Sequence, residues 1–389
     1  MKVSSFYRDT WIEVDLDAIH ENVRHAREHI PEDVELFAVV KANAYGHGAA
    51  YVARAALEAG ATRLAVAFLD EALAMRRAGI TAPILVLGAV RPQDVNIAAA
   101  SNVALPVFDA EWLKQAKEVW NNNHPLRLHI TFDSGMGRIG IRLKEELAAC
   151  LEQLKDIPDF VIEGAFTHFA TADELDTTYF EKQYATFQQQ IHWLEEMHGR
   201  PALIHCANSA TSLRFSDCLF NAARIGIIMY GLTPSPEMNT LLPYKLKEAF
   251  SLHSKIVHVK QIESGESVSY GATYTAQEPE WIATVPIGYA DGWIRKLQGF
   301  EVLVDGMKVS IVGRICMDQM MIRLPYKLPV GTHVTLIGTQ GNEAVSPDDV
   351  AAYLGTINYE ITCMINFRVP RVFRKNGQIV GIENLLTER

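Results

Sequence analysis

The chain has 389 residues, more than one hydrophobic core usually organises, so a large domain with a smaller companion is expected. Hydrophobic residues make up 49% and charged residues 21%, which excludes disorder. Against 46 Asp and Glu there are only 36 Lys and Arg, and the net charge of -10 argues against nucleic acids and anionic membrane surfaces as partners.

The start, Met1 to Trp11, shows no basic segment followed by an apolar run, and no later stretch is apolar for long enough to cross a bilayer. A cytoplasmic protein is expected. The cysteines, Cys150, Cys206, Cys218, Cys316 and Cys363, are odd in number and lack a C-x-x-C pair, which speaks against a disulfide framework and a zinc ribbon. Trp11–Val14 reads as an early strand, a candidate to cross back into a later domain. Eight short apolar runs follow: Leu36–Val40, Leu64–Phe68, Ile84–Leu87, Ala104–Phe108, Leu128–Phe132, Val161–Phe166, Leu203–Cys206 and Ala223–Ile227. Helical stretches such as Ala49–Ala59 and Glu174–Met197 lie between them. Repeated βα units of this kind predict an α/β chain whose N-terminal part, residues 1–240, is a closed (β/α)8 barrel. Beyond Pro243 the texture changes to strands without long helices: Lys255–Ile262, Trp281–Pro286, Phe300–Val304, Lys308–Val312 and His333–Ile337. Residues 241–389 are therefore expected to form a second, mainly β domain.

A barrel of this type carries its chemistry at the carboxyl ends of its strands. The polar residues there are Lys41 and Tyr45, Arg138, His168, His205, Asn208 and Ser209, and Arg224. Lys41 directly follows Phe37-Ala38-Val39-Val40, which places its amine at the mouth on an apolar stem, where desolvation favours the neutral amine and attack on a carbonyl carbon. A solvated lysine at a strand end is the plainer reading of that position by itself. Gly135-Met136-Gly137-Arg138-Ile139-Gly140 fits G-x-G-x-x-G, but Asp133 and Ser134 separate it from its strand and the unit is the fifth, which argues against a dinucleotide-binding turn. His168, His205 and Cys206 lack close ligand spacing, so no metal is expected.

Lys41-Ala42-Asn43-Ala44-Tyr45-Gly46-His47-Gly48 resembles the cofactor-lysine signature of the alanine racemases, fold-type III pyridoxal-phosphate enzymes. The likeness continues through Leu64-Ala65-Val66-Ala67, Asp133-Ser134-Gly135-Met136-Gly137-Arg138, Thr167-His168-Phe169-Ala170 and His205-Cys206-Ala207-Asn208-Ser209. In the second domain Val268-Ser269-Tyr270-Gly271, Gly288-Tyr289-Ala290-Asp291-Gly292 and Gly313-Arg314-Ile315-Cys316-Met317-Asp318 match as well, so it spans essentially the whole chain.

The resemblance implies racemisation of alanine by two bases on opposite faces of Cα, Lys41 for the D-side proton and Tyr270 for the L-side proton. It implies pyridoxal 5'-phosphate on Lys41, with Tyr45, Ser209, the Gly226 amide and Tyr359 at the phosphate and Asn208 and Ile227 also binding the cofactor. Arg224 would face the pyridine nitrogen, oriented by His205, and His168 would lie beside cofactor and base. Arg138 and the Met317 amide would receive the substrate carboxylate, Tyr289 and Tyr359 would narrow the pocket, and Asp173, Arg295, Arg314 and Ile357 would form an outer gate. Thr131 departs from the pattern, standing where many members carry a carbamylated lysine that orients the arginine. Some members with a short polar residue there bind chloride instead, so a chloride near Thr131 and Arg138 is one way the resemblance offers of holding the arginine. A homodimer with shared active sites is implied, as is a role in supplying D-alanine for peptidoglycan or in alanine catabolism. A noncatalytic cofactor carrier would lack the second domain, and a decarboxylase of this fold type would put an acid where Arg224 stands; a broad-specificity racemase stays open.

Overall fold

The computed structural model describes residues 6–387 apart from 122 and 156, so the first five residues of the start read above, Met1 to Trp11, lie outside the described residues. The chain divides into two compact units, one of Ala18–Ala44 with Ala49–Lys247, the other of the residues up to Asp17, Tyr45–Gly48 and everything from Glu248 onward.

The strands, in chain order, begin with β1 (Thr10–Asp15), which belongs to the second unit. The first unit holds eight parallel strands, β2 (Glu35–Val39), β3 (Arg63–Val66), β4 (Ile84–Val86), β5 (Val103–Val107), β6 (Leu126–Thr131), β7 (Phe160–Phe166), β8 (Leu203–His205) and β9 (Ala222–Ile225). They pair in the order β8-β7-β6-β5-β4-β3-β2-β9. An Ala207–Ala223 bridge and the Arg224 amide donating to the Ala207 carbonyl at 3.1 Å close the ring between β8 and β9. The expected barrel is thus present. Its strands are short and largely apolar because most of their residues are buried, between the barrel interior and a helix. Helix Thr178–Met197 starts later than the apolar periodicity from Glu174 predicts, since the Asp176 carboxylate accepts from the Thr178 amide at 2.9 Å and sets a new first turn.

The second unit is built on a largely antiparallel sheet comprising β1 with β10 (Phe250–Lys255) and β11 (His258–Ile262), then, beyond a small hairpin of β12 (Ser267–Val268) and β13 (Tyr274–Thr275), β14 (Glu280–Val285), β15 (Glu301–Val304), β16 (Met307–Val312), β17 (Met320–Leu324), β18 (His333–Gln340), β19 (Glu343–Val345), β20 (Arg371–Lys375) and β21 (Gln378–Glu383). The first strand pairs antiparallel with β10 and parallel with β20, so the N-terminal segment is stitched into the β unit along both of its edges. The single strand expected over Lys255–Ile262 is two strands. At Ile256 and Val257 the backbone exchanges partners, Ile256 donating to Thr332 and Val257 to Thr284, both at 2.9 Å. The segment Tyr45–Gly48 is held in this unit by Arg371, whose buried guanidinium donates to the carbonyls of Gly46, Ile365, Asn366 and Val369. Gly46 allows the approach: with φ at +87° it has a backbone that suits glycine, and a Cβ there would lie 2.1 Å from the Thr362 carbonyl oxygen. No helix among the described residues is long and apolar enough to cross a membrane.

Candidate active site

Lys41 stands two residues beyond the end of β2 and opens an unusual turn. Ala42, Asn43, Ala44 and Tyr45 all have φ between 51° and 54°, four consecutive non-glycine residues in the left-handed region. Each costs roughly 1–2 kcal/mol, so the turn persists only because its polar groups are tied down. The Ala44 amide donates to the Val40 carbonyl at 3.0 Å, the Ala42 amide to a Glu71 oxygen at 2.6 Å, and the Asn43 side-chain oxygen accepts from the Ala49 amide at 2.8 Å.

Across the barrel Arg224, on β9, is buried with almost no exposure and is surrounded by acceptors. Its Nη1 lies 2.6 Å from His205 Nδ1 and 3.1 Å from the His205 carbonyl, and its Nη2 lies 2.9 Å from the Thr167 carbonyl, 3.3 Å from that of Cys206 and 3.4 Å from His168 Nδ1. Burial lowers its pKa to about 10, which leaves it a cation at neutral pH. A guanidinium only donates, so this contact fixes the proton positions of everything behind it. His205 Nδ1 accepts, so its Nε2–H donates to His129 Nδ1 at 3.0 Å, and the His129 Nε2–H then donates to Glu163 at 3.2 Å. Phe37 and Phe166 stack on His205 with ring centroids 5.1 Å away on each side, which holds the imidazole upright in the barrel interior. Burial favours the neutral Glu163 acid, but the hydrogen bond from His129, with Arg63 and Arg127 beside it, overcomes this and lowers its pKa.

His168 follows β7. Burial first, then Arg224, Arg138 and Lys41, push its pKa down to about 3, so it is neutral at any ordinary pH. Arg224, Arg138 and Lys41 thus all lie within electrostatic reach of one imidazole at the barrel mouth. Arg138 is exposed on a loop that leaves and rejoins the barrel through reciprocal backbone bonds, Asp133 to Ile141 at 3.0 Å and Ile141 to Thr131 at 2.9 Å. The Asp133 carboxylate accepts from the Gly135 and Gly137 amides at 2.9 Å each. Gly135, Gly137 and Gly140 all have positive φ and the next helix starts only at Lys144, so this loop is not a strand-to-helix phosphate turn.

After β8, Asn208 caps the short helix Ser209–Arg214, its side-chain oxygen accepting from the Thr211 amide at 3.0 Å. Ser209 Oγ accepts from the Gly226 amide at 2.9 Å, which joins the ends of β8 and β9 and leaves the hydroxyl proton to donate elsewhere. Ile227 follows in a buried 3-10 turn. Asp173 is half-buried, its carbonyl accepting from Ser235 Oγ at 3.2 Å.

In the second unit Tyr45 packs against Tyr359 with ring centroids 5.9 Å apart, and burial raises the Tyr45 pKa, which keeps its hydroxyl protonated. Tyr270 sits at the tip of the β12–β13 hairpin and is 70% exposed, with Ser269, Gly271 and Ala272 at positive φ around it. Three loops gather there. Ser269 Oγ donates to the Arg314 carbonyl at 2.5 Å, and the Tyr289 and Ala290 amides donate to the carbonyls of Cys316 and Met317 at 3.0 Å each. Tyr270, Tyr289, Arg314 and Met317 therefore share one loop cluster, while Arg295 and Ile357 are exposed on other turns of the same unit.

Sequence reasoning missed His129, Glu163 and Glu71. The first two carry a signal that alternation exposes: a histidine and a glutamate inside runs otherwise apolar have to find each other across adjacent strands. Glu71 resembles any acid in the first turn of a helix, and only the tertiary contact singles it out.

Because the pKa values of His205, His129 and His168 are all lowered by burial below the ordinary histidine value of 6.5, the unfolded chain binds protons that the folded one refuses once the pH falls below that value. Stability is unaffected by these groups above pH 6.5 and declines below it, by at most about 1.4 kcal/mol per pH unit for each histidine. The melting temperature should fall between pH 6.5 and 5, and His168→Gln should make that fall shallower; a flat profile in the parent would contradict the neutral assignment.

The family models described as "Alanine racemase, N-terminal domain" and "Alanine racemase, C-terminal domain" match residues 14–234 and 249–373. The alanine racemase of Geobacillus kaustophilus is 60% identical over 98% of this chain and 99% of its own, and that of Geobacillus stearothermophilus 59% identical over 99% and 98%. The crystal structure of alanine racemase from Bacillus anthracis with bound L-Ala-P superposes with a TM-score of 0.97 at 60% identity, covering 98% of this chain and 99% of that one. Matched over both domains and nearly its full length, the chain belongs to the alanine racemase family.

Proposed function

We propose that this chain interconverts L- and D-alanine, with pyridoxal 5'-phosphate carried by Lys41 and with Lys41 and Tyr270 moving protons at the two faces of Cα. The family uses that cofactor, which when bound withdraws electrons from Cα and makes its hydrogen removable. The observation that carries the reading is the convergence of Lys41, Arg138 and Arg224 on a neutral His168 at the ends of the barrel strands. Such a donor-rich mouth fits an anionic cofactor and an amino-acid carboxylate. The Ser209 hydroxyl, the Ile227 amide, the Gly226 amide on giving up Ser209 Oγ, Asn208, the protonated phenol of Tyr45 and the Tyr359 hydroxyl are assigned to the phosphate, which amides and hydroxyls satisfy without a full positive charge. Arg224, oriented by the His205–His129–Glu163 chain, is assigned to the ring nitrogen, where a permanent donor disfavours protonation of that nitrogen. Arg138 and the Met317 amide are assigned to the substrate carboxylate, Tyr289 and Tyr359 to a pocket sized for a methyl group, and Asp173, Arg295, Arg314 and Ile357 to the entrance.

The working form in this reading is a cytoplasmic homodimer, Tyr270 of one copy completing the site around Lys41 of the other. The exposure of Tyr270 at 70% and Met317 at 52% supports it, since a catalytic phenol open to bulk water would lack the environment that makes it a base. Supplying D-alanine for peptidoglycan, or consuming it in alanine catabolism, follows from the same reaction.

Borohydride reduction of the purified protein followed by peptide mapping should leave the cofactor on Lys41, and an unmodified Lys41 would remove the central premise. In deuterated solvent Tyr270→Phe should retain exchange at Cα of D-alanine much better than at L-alanine, whereas equal loss for both would contradict the assignment of faces.

Mixing Lys41→Ala and Tyr270→Ala subunits should restore activity, because a two-fold dimer concentrates both lesions in one composite site and leaves the other intact. Recovery near a quarter of the parent activity is expected after random reassortment, and none at all if both residues serve one chain's own site.

Chloride beside Thr131 and Arg138 is the remaining element. The buried Thr131 hydroxyl makes only a long 3.4 Å contact to the His129 carbonyl, which leaves it able to meet an anion. Anomalous scattering from bromide-soaked crystals should reveal a peak there, and an empty position would end the idea.

A further inference from the structure

We propose that Glu71 is a positioning residue for Lys41: its carboxylate locks the peptide unit that follows the lysine and so aims the amine. The inference rests on the reading that Lys41 is a base of the reaction.

The direction of a side chain is set by the φ and ψ of its own residue, and these are set by the peptide planes on either side. The plane before Lys41 is anchored by main chain: the Val40 carbonyl, which belongs to it, accepts from the Ala44 amide at 3.0 Å, and the plane before that is held by the Val40 amide donating to Ala65 at 2.9 Å. The plane after Lys41 contains the Ala42 amide, and that amide donates to Glu71 Oε1 at 2.6 Å. One flank is therefore held by backbone and the other by a side chain thirty residues away in sequence. The other oxygen of Glu71 accepts from the Ala67 amide at 2.7 Å and the Phe68 amide at 3.3 Å, at the end of β3. Glu71 thus bridges the segments that leave two adjacent barrel strands.

A glutamate at the third position of helix Leu69–Arg77 is an ordinary capping residue, and the bond to Phe68 is that cap. Capping uses Oε2 alone. The bond from Oε1 to Ala42 leaves the helix altogether and lands on the first residue of the left-handed turn, where strain favours relaxation to another conformation. A carboxylate is required because both of its oxygens accept, and charged acceptors hold amides more strongly than neutral ones.

Two variants separate positioning from capping. Glu71→Gln keeps the length but turns an amide group toward one set of backbone donors; Glu71→Asp keeps a carboxylate for the helix start but is one methylene short of Ala42. On the purified, cofactor-loaded protein, hydrogen–deuterium exchange of the peptide containing Ala42 should accelerate about tenfold or more in both, with the remaining barrel strands unchanged. The kcat should drop about 10- to 100-fold with a smaller change in KM. Cα exchange should fall further for D-alanine than for L-alanine, because Lys41 is the misdirected base. Asp70→Asn, which alters charge on the same helical turn without touching Ala42, should behave as the parent. Parental protection at Ala42 in both variants, or an unaltered ratio of D- to L-alanine exchange, would overturn the proposal. Borohydride mapping of the parent keeps the two failures apart: an unlabelled Lys41 would defeat the functional reading, while the Ala42 protection would still report on the Glu71 contact.

Discussion

A cation buried inside a barrel has to be met by acceptors on every side, and much of this site follows from satisfying Arg224. A hydrogen bond to a charged group contributes about 1.5–3 kcal/mol, and losing one here would leave part of the charge unsatisfied in a poorly solvated place. Three main-chain carbonyls and two imidazoles share the task. The donor-only character of the guanidinium then dictates the tautomer of His205 and that of His129, whose Nε2–H joins Arg63 and Arg127 in favouring the ionised Glu163 at the far end. A permanent positive charge is thereby presented toward the barrel mouth, with its orientation settled mainly by groups inside the barrel.

The same logic of enforced geometry governs Lys41. Four left-handed residues in succession are unfavourable by themselves, and the turn stands because β2, the start of helix Ala49–Glu58 and the Glu71 carboxylate each hold one of its polar groups. Strain of this kind fits a residue that has to point in one direction rather than sample several. In the second unit, the loops carrying Tyr270, Tyr289 and Met317 are likewise stitched to one another by backbone and hydroxyl bonds. They hold large side chains in the open, which is costly in a monomer unless those groups have something to meet.

Much of this was legible in the chain. The eight apolar runs marked the barrel strands to within a residue or two because both faces of such strands are buried and leave little room for polar interruption. The motif around Lys41 and those around Tyr270 and Met317 carried the family resemblance. Less legible was where Lys255–Ile262 breaks in two, because both halves satisfy strand periodicity and only the change of partner at Ile256 and Val257 distinguishes them. Likewise the early strand at Trp11–Val14 could be read as a strand but not assigned neighbours, since pairing across some 240 residues leaves no local trace.

By itself, then, the sequence determined the alternation of strands and helices, the placement of reactive side chains at strand ends and the family to which they belong, all of which depend on local pattern. Tertiary structure alone decided the left-handed turn after Lys41, the protonation chain from Arg224 to Glu163 and the bridge made by Glu71. Each of these depends on groups far apart in the chain meeting at hydrogen-bonding distance, and a donor's partner is set by where the folded backbone brings an acceptor, not by the residues beside it in sequence.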